Sequence, residues 1–250
     1  MLKGSGKNIM AIPAQDPYRA GAYFADPQRH CEDAEFKARE FAKLLASNPG
    51  LDIKTLADVG CGSGAPTIAV VRLMQQAGYQ LTHASGYDVS PHVKNVSHPF
   101  IRFVHEDFTE SDEFVDLVTL FDVVEHVPDP ITFLKKVARH TSLICLNIPL
   151  DASLDLSVRN LWRGNLRDPG HLIILDPPGA LNLLAFAGLR VIDYRYTPSF
   201  QSCSGHKTPL AKMAYPFRWI LYSLSPWLVA KTVGGVSLMV VAQTQSNRGD

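Results

Sequence analysis

An excess of charge of one sign is missing from this chain: 24 lysines and arginines balance 24 aspartates and glutamates over 250 residues. No segment concentrates basic residues either, so the electrostatic footprint of a nucleic-acid binder is absent and a small-molecule ligand is the better expectation. Cysteine is sparse. Cys31, Cys61, Cys145 and Cys203 lie far apart and form no C-x-x-C pair, which argues against a disulfide framework and against a structural zinc site. They read as reduced thiols of a cytoplasmic protein. Long hydrophobic runs are missing too: the most apolar window, Trp219 to Ala230, has twelve residues and contains Pro226, short of the roughly 20 that span a bilayer. Few apolar residues follow Lys3 and Lys7 before Pro13 and Asp16, too few for the core of a secretory leader. Neither an internal repeat nor a low-complexity tract is present.

What the chain does contain is alternation. Residues 26–46 mix Ala34, Phe36, Ala38, Phe41, Ala42, Leu44 and Leu45 with many charges, the pattern of an amphipathic surface helix, and Asn48-Pro49-Gly50 stops it. From Ile53 onward short apolar runs alternate with helix-sized segments. Strands are expected near Thr55–Val59, Leu81–Tyr87, Ile101–His105, Leu117–Phe121 and Leu143–Ile148, and helices near Pro66–Ala77, Ser90–Ser97 and Pro130–His140. Pro66 and Pro130 suit a first helical turn, with Asp129 as N-cap. A last helix, Pro177 to Ala187, is capped by Asp176 and closed by Gly188. Strands Arg190–Tyr196 and Val236–Gln243 follow, separated by a stretch, Thr197 to Gly235, that contains four prolines and no squarely placed connecting helix. Unbroken apolar strands alternating with helices indicate an α/β domain with a mostly parallel sheet covered on both faces. The chain reads as one domain over 1–250: an N-terminal helix at 26–46, a ligand-binding core at 53–148, and substrate-side insertions at 149–176 and 197–235.

The first strand runs into Leu56-Ala57-Asp58-Val59-Gly60-Cys61-Gly62-Ser63-Gly64-Ala65. Glycines between a strand and a helix let the backbone turn sharply and admit a ligand close to the chain, at a helix N-terminus whose amides face it. The spacing fits two classes, because Gly60-x-Gly62-x-x-Ala65 satisfies the dinucleotide fingerprint while Gly60-x-Gly62-x-Gly64 fits another. Asp58 bears on the choice. A carboxylate at the end of a buried strand needs a donor or a cation, and a dinucleotide brings anionic phosphates whereas S-adenosylmethionine brings an ammonium and a sulfonium. The plainer reading is that Asp58 caps the following turn. Asp88, ending the next strand, can accept both ribose hydroxyls of an adenosine in either class. Asp107 with Phe108, after the third strand, suits an adenine edge and face; an ordinary strand-end turn is the plainer reading there.

At these residues the sequence resembles the class I S-adenosylmethionine-dependent methyltransferases. The matching segments are Asp58-Val-Gly-Cys-Gly-Ser-Gly64, Gly86-Tyr-Asp-Val-Ser90, Glu106-Asp-Phe108 and Phe121-Asp-Val-Val-Glu-His-Val-Pro-Asp-Pro130, in family order over residues 53–148. The resemblance implies a Rossmann-like seven-stranded sheet whose last strand is antiparallel. It also implies S-adenosylmethionine as cofactor, bound through Asp58, Gly60, Cys61, Gly62, Gly64, Asp88, Val89, Asp107, Phe108 and Phe121. More narrowly, Glu32-Asp-Ala-Glu-Phe-Lys37, Asn147-Ile-Pro-Leu-Asp151, Asp168-Pro-Gly-His171 and Gly234-Gly-Val-Ser-Leu238 resemble a bacterial subgroup associated with polysaccharide or secondary pathways, whose substrates are mostly unassigned.

Methyl transfer from a sulfonium is a direct displacement, and much of its acceleration comes from holding the acceptor in line. A hydroxyl acceptor also needs a base. Asp122, Glu125 and His126 follow the fourth strand on the family's substrate face, with Asp122 and His126 as catalytic candidates and Glu125 as a substrate contact. Their pattern is similar to the E-x-x-E-H of quinone-pathway O-methyltransferases, where acids and a histidine are implicated in divalent-metal binding. Asp in place of the first Glu departs from that motif, and no metal ligand is assigned. The plainer reading is that Glu125 and His126 fix the Val127-Pro128 turn. His171 is the preferred base or acceptor-positioning group, and Arg167 could hold an anionic acceptor. The aromatic and basic segment 209–231 suits a peripheral membrane contact or lipid-linked acceptor, and equally a lid or a dimer contact; a monomer and a homodimer both fit. The resulting expectation is O-methylation of a small-molecule, sugar or secondary-metabolite acceptor. The rivals are a dinucleotide-dependent oxidoreductase and a non-catalytic nucleotide-binding protein.

Overall fold

The apolar runs after Ile53 become strands Thr55–Val59 (β1), His83–Tyr87 (β2), Ile101–Val104 (β3), Val115–Phe121 (β4), Thr141–Pro149 (β5), Leu189–Thr197 (β6) and Ser237–Thr244 (β7) in a computed structural model of the chain. The structure describes residues 18–21, 31–167, 170–202 and 209–245, apart from the side chains of 162, 163, 167 and 209–214. The expected helix start near Asp26, together with Asp168 and Cys203, therefore lies outside the described residues, as does the Arg167 side chain. The strands form one sheet of seven in the order β3-β2-β1-β4-β5-β7-β6. Neighbours from β3 through β5 pair in parallel, and β7 runs antiparallel to both β5 and β6. This is the expected Rossmann-like α/β sheet, and its last strand has the expected direction.

Because side chains alternate across a strand, the sheet feeds two cores. Leu56, Leu117, Phe121, Cys145 and Met239 pack on one face against helices Cys31–Ala46 (α1) and Ala65–Gln76 (α2). Val118, Leu120, Ile144, Leu146 and Val240 pack on the other against helices Pro130–Val137 (α3), Pro177–Phe186 (α6) and Pro226–Lys231 (α8). Burying each such side chain contributes about 1.5–3 kcal/mol. Caps set where helices begin: Asp129 accepts from the Thr132 amide at 3.1 Å, and Asp176 from the Gly179 amide at 2.8 Å. Asp176 also pairs with Lys231, tying α6 to α8.

Three local expectations are corrected. The helix expected over Ser90–Ser97 is a short 3₁₀ turn, Pro91–Asn95, since Val93 is the one buried apolar residue there and Pro99 follows closely. The α-helix expected over Pro130–His140 ends at Val137, and 138–140 tighten into 3₁₀ geometry. The stretch between β6 and β7 does hold helices, α7 over Pro209–Leu224 and α8. Its prolines mislead because Pro209 and Pro226 stand at helix starts, where no amide bond is lost; only Pro216 lies inside. Short helices Leu154–Val158 (α4) and Trp162–Arg167 (α5) also occupy the earlier insertion.

Helix α7 has two apolar faces. Tyr215, Trp219 and Tyr222 meet Phe200 edge-on, with ring centroids 5.9, 5.7 and 5.8 Å away, while Phe217, Ile220 and Leu224 are exposed. No helix among the described residues is long and apolar enough to cross a membrane.

Candidate active site at the carboxyl ends of the strands

A cavity of about 730 Å³ opens where β1, β2, β4 and β5 end. One end is built by the glycine loop. Gly60 and Cys61 donate their amides to Tyr87 O at 2.8 and 3.1 Å, Gly62 donates to Asp88 Oδ2 at 2.8 Å, and Gly64 to Cys61 O at 2.8 Å. The loop thus spends these amides on the protein itself and offers the cavity a close backbone wall. Gly60 has φ +78°, and a Cβ there would lie 2.7 Å from Val123 Cγ2, so only glycine fits. Cys61 lines this wall. Burial, then the charges of Asp58 and Asp88, push its thiol well above its ordinary range.

Asp88 lines the cavity with Oδ1 accepting the Ser90 amide at 2.7 Å and Oδ2 the Gly62 amide. Burial raises its carboxyl above the usual value against the pull of these two amides. Val89, Asp107, Phe108 and Phe121 line the same cavity. Asp107 Oδ1 accepts from the Thr109 amide and hydroxyl, and Oδ2 from Arg19 at 3.1 Å. Phe108 stands edge-on to Tyr87, 5.0 Å between centroids.

Asp58 and Gly64 do not line the cavity. Asp58 sits behind the loop, where its two oxygens accept from Thr119 Oγ1 at 2.6 Å and Thr67 Oγ1 at 2.5 Å. Its carboxyl is raised by burial, an effect only partly offset by the two hydroxyls. Its hydrogen-bond partners thus stand on the neighbouring strand and helix. Neither threonine stood out in the sequence, although each is a polar residue within an apolar run.

The other end is polar and comes from widely separated segments. Asp122 ends β4 with φ +56°, a conformation unusual outside glycine. It is over-determined: Lys37 Nζ lies 2.5 Å from Oδ2, Asn147 Nδ2 donates to Oδ1 at 2.6 Å, and the Asp122 amide donates to Asn147 O at 3.0 Å. Burial works to lower the Lys37 pKa, but the Asp122 charge and hydrogen bond, together with the charges of Asp33 and Glu125, outweigh it and raise the group overall.

A 3₁₀ turn, Val124–His126, then sets Glu125 and His126 side by side. The Glu125 carbonyl accepts the Leu172 amide at 2.8 Å, which draws His171 into the same corner. His171 Nδ1 lies 2.6 Å from Asp151 Oδ2, which also accepts from Asn165 Nδ2 at 3.0 Å. His126 Nδ1 lies 3.1 Å from Gly170 O and 2.7 Å from the Tyr18 hydroxyl. The two imidazoles meet edge-on at 5.0 Å, and both line the cavity. Glu125 is buried behind them, and burial, followed by the Asp122 charge, raises its carboxyl well above its ordinary value.

Lys37, Asn147, Asp151, Asn165 and Tyr18 were missed as site residues. A signal existed for Lys37: it occupies the apolar face of α1 beside Ala34, Ala38 and Phe41, where a charge has to find a partner.

A family model described as a methyltransferase domain matches residues 29–194. Among solved structures, a chain from the complex of the Haloferax volcanii Trm112 methyltransferase activator aligns over 93% of this chain and 99% of that one, at 17% identity and TM-score 0.62. Magnesium protoporphyrin IX methyltransferase from Synechocystis PCC 6803, solved with bound S-adenosylhomocysteine, aligns over 91% and 93% at 16% identity and TM-score 0.54. The N-methyltransferase NodS from Bradyrhizobium japonicum WM9, in complex with S-adenosylhomocysteine, aligns over 93% and 100% at 13% identity and TM-score 0.54. At these identities the likeness is one of fold. No curated protein matches the sequence.

Proposed function

The chain belongs to the methyltransferase-domain family, and from that premise we propose that it methylates an oxygen of a small acceptor, a sugar or secondary metabolite, from S-adenosylmethionine. The observation that carries this reading is the single cavity with two chemically different ends. When bound, the cofactor supplies a methyl group on a sulfonium. In this reading Asp88 accepts the ribose hydroxyls while it holds the Gly62 amide, and Asp107 with Phe108, which line the same cavity, take the adenine edge and face. The donor set also speaks against a dinucleotide. Pyrophosphate is held by loop amides at a helix N-terminus, and here the Gly62 amide already serves a carboxylate.

At the far end, an acceptor hydroxyl has to give up a proton as it attacks. The paired imidazoles, oriented by Asp151 and Gly170, provide the polar groups for that task, and Asp122 is held beside them by Lys37 and Asn147. Three of the subgroup-like segments, those containing Lys37, Asn147 with Asp151, and His171, each bring a side chain to this corner. His171→Ala is therefore expected to lower turnover by about 100-fold or more with S-adenosylhomocysteine affinity unchanged. Methyl incorporation from labelled cofactor into an accepted substrate, at saturating cofactor, is the check; unaltered turnover removes His171 from the machinery.

A further inference from the structure

We propose that Glu125, His126 and His171 form a binding site for one divalent cation of the zinc type beside the acceptor end of the cavity. The starting observation is an orphan. Glu125 is 1% exposed, and neither carboxyl oxygen has a hydrogen-bond partner on another residue, a state that buried polar groups avoid unless an ion or water meets them. One ligand atom from each of the three residues lies within 4.8 Å of the others.

The spacing selects the occupant. Glu125 Oε1 lies 3.8 Å from His126 Nε2 and 3.9 Å from His171 Nε2. Direct hydrogen bonds would bring these atoms to about 2.9 Å, and a water bridging two such bonds would hold its partners about 4.5 Å apart. Ligands about 2.1 Å from a tetrahedral zinc stand about 3.4 Å from one another. These two gaps lie closest to the cation geometry and reach it by a closure of about half an ångström, and the imidazole ligand atoms lie within 4.8 Å of each other.

The imidazole tautomers point the same way. Asp151 Oδ2 accepts from His171 Nδ1, so that nitrogen carries a proton, and in the neutral ring Nε2 keeps its lone pair. Gly170 O, which only accepts, lies 3.1 Å from His126 Nδ1 and fits the same tautomer, in which that proton is shared with the Tyr18 hydroxyl oxygen at 2.7 Å. In that tautomer both lone pairs face Glu125. Histidine ligands whose second nitrogen is fixed by a carboxylate or a backbone carbonyl are the usual support of a metal. The set differs from the linear Asp122-x-x-Glu125-His126 pattern. Asp122 is committed to Lys37 and Asn147, and the second histidine arrives from residue 171. Two imidazoles and one carboxylate suit zinc, iron, cobalt or nickel better than magnesium or calcium, which prefer all-oxygen shells.

Binding of the cation stands on the geometry alone; its use, to hold an acceptor oxygen and ease loss of its proton, rests on the methyl-transfer reading. The test is Zn²⁺ titration by calorimetry into chelator-treated full-length protein, with Co²⁺ absorption as a second probe. One equivalent is expected to bind. Glu125→Gln and His171→Ala should each abolish uptake, and Asp151→Asn should weaken it by about 10-fold or more; circular dichroism checks that each variant is folded. The Asp151 variant leaves all three ligands in place, so it keeps the test decisive if a ligand variant fails to fold. The site is overturned if the wild type takes up no cation at micromolar concentration, or if uptake is the same in the folded variants. S-adenosylhomocysteine binding, measured on the same chelated sample, separates the two readings: retained binding without cation uptake refutes this site alone, and cation uptake without cofactor binding refutes the methyl-transfer reading alone.

Discussion

Asp88→Ala is expected to lower S-adenosylhomocysteine affinity by about 100-fold, because each hydrogen bond to a charged group contributes about 1.5–3 kcal/mol and the carboxylate serves two purposes. It lines the cavity, where the proposed function has it accept the ribose hydroxyls, and it holds the amides of Gly62 and Ser90 at 2.8 and 2.7 Å, which fixes the glycine loop against the end of β2. Asp88→Asn should do little better. Its amide group has to turn a donor toward one of two backbone donors, so one contact becomes a repulsion. Isothermal calorimetry on folded variants is the measurement, and an affinity within threefold of the wild type removes Asp88 from the ligand site.

Gly64→Val is expected to destabilise the fold by about 3 kcal/mol or more, through backbone strain and crowding that each cost roughly 1–3 kcal/mol. Gly64 caps α2 with φ +74°, and a Cβ there would lie 2.6 Å from Val96 Cγ1 and 2.9 Å from the Phe103 ring. Both neighbours are branched or rigid side chains packed between β3 and the glycine loop. For a chain of this size the cost corresponds to a melting point lower by about 6–12 °C. Gly78→Ala is the internal comparison: its φ is +92°, but no atom lies within 4 Å of the added Cβ, so it carries backbone strain alone and should melt closer to the wild type. Equal melting points for Gly64→Val and the wild type would show that the loop adjusts freely.

The parallel sheet was legible because strands buried on both faces need unbroken apolar runs, and Leu117–Phe121 or Leu143–Ile148 leave little choice. Helix starts were legible where a cap and a proline coincide, as at Asp129-Pro130 and Asp176-Pro177. The same reasoning failed over Thr197–Gly235, where prolines opening a helix look like prolines breaking one, and over Ser90–Ser97, where a single buried valine anchors no more than a turn. The glycine-loop end of the site was readable because its parts sit at strand ends in chain order. Asp58 was readable as a buried acid needing partners, but the partners are threonine hydroxyls of the adjacent strand and helix, which only the packing reveals. The polar end was only half visible. Glu125, His126 and His171 could be singled out by residue type. Nothing linear says that the Glu125 carbonyl would capture the Leu172 amide and so bring His171 against Glu125, or that Asp151 would orient that ring.

The central claim, that the cavity is built for S-adenosylmethionine and not for a dinucleotide, is tested most directly by calorimetry of the wild-type protein with S-adenosylhomocysteine and, separately, with NAD and NADP. One-site binding of S-adenosylhomocysteine with no heat from either dinucleotide is the predicted result; saturable binding of NAD or NADP without binding of S-adenosylhomocysteine would contradict it.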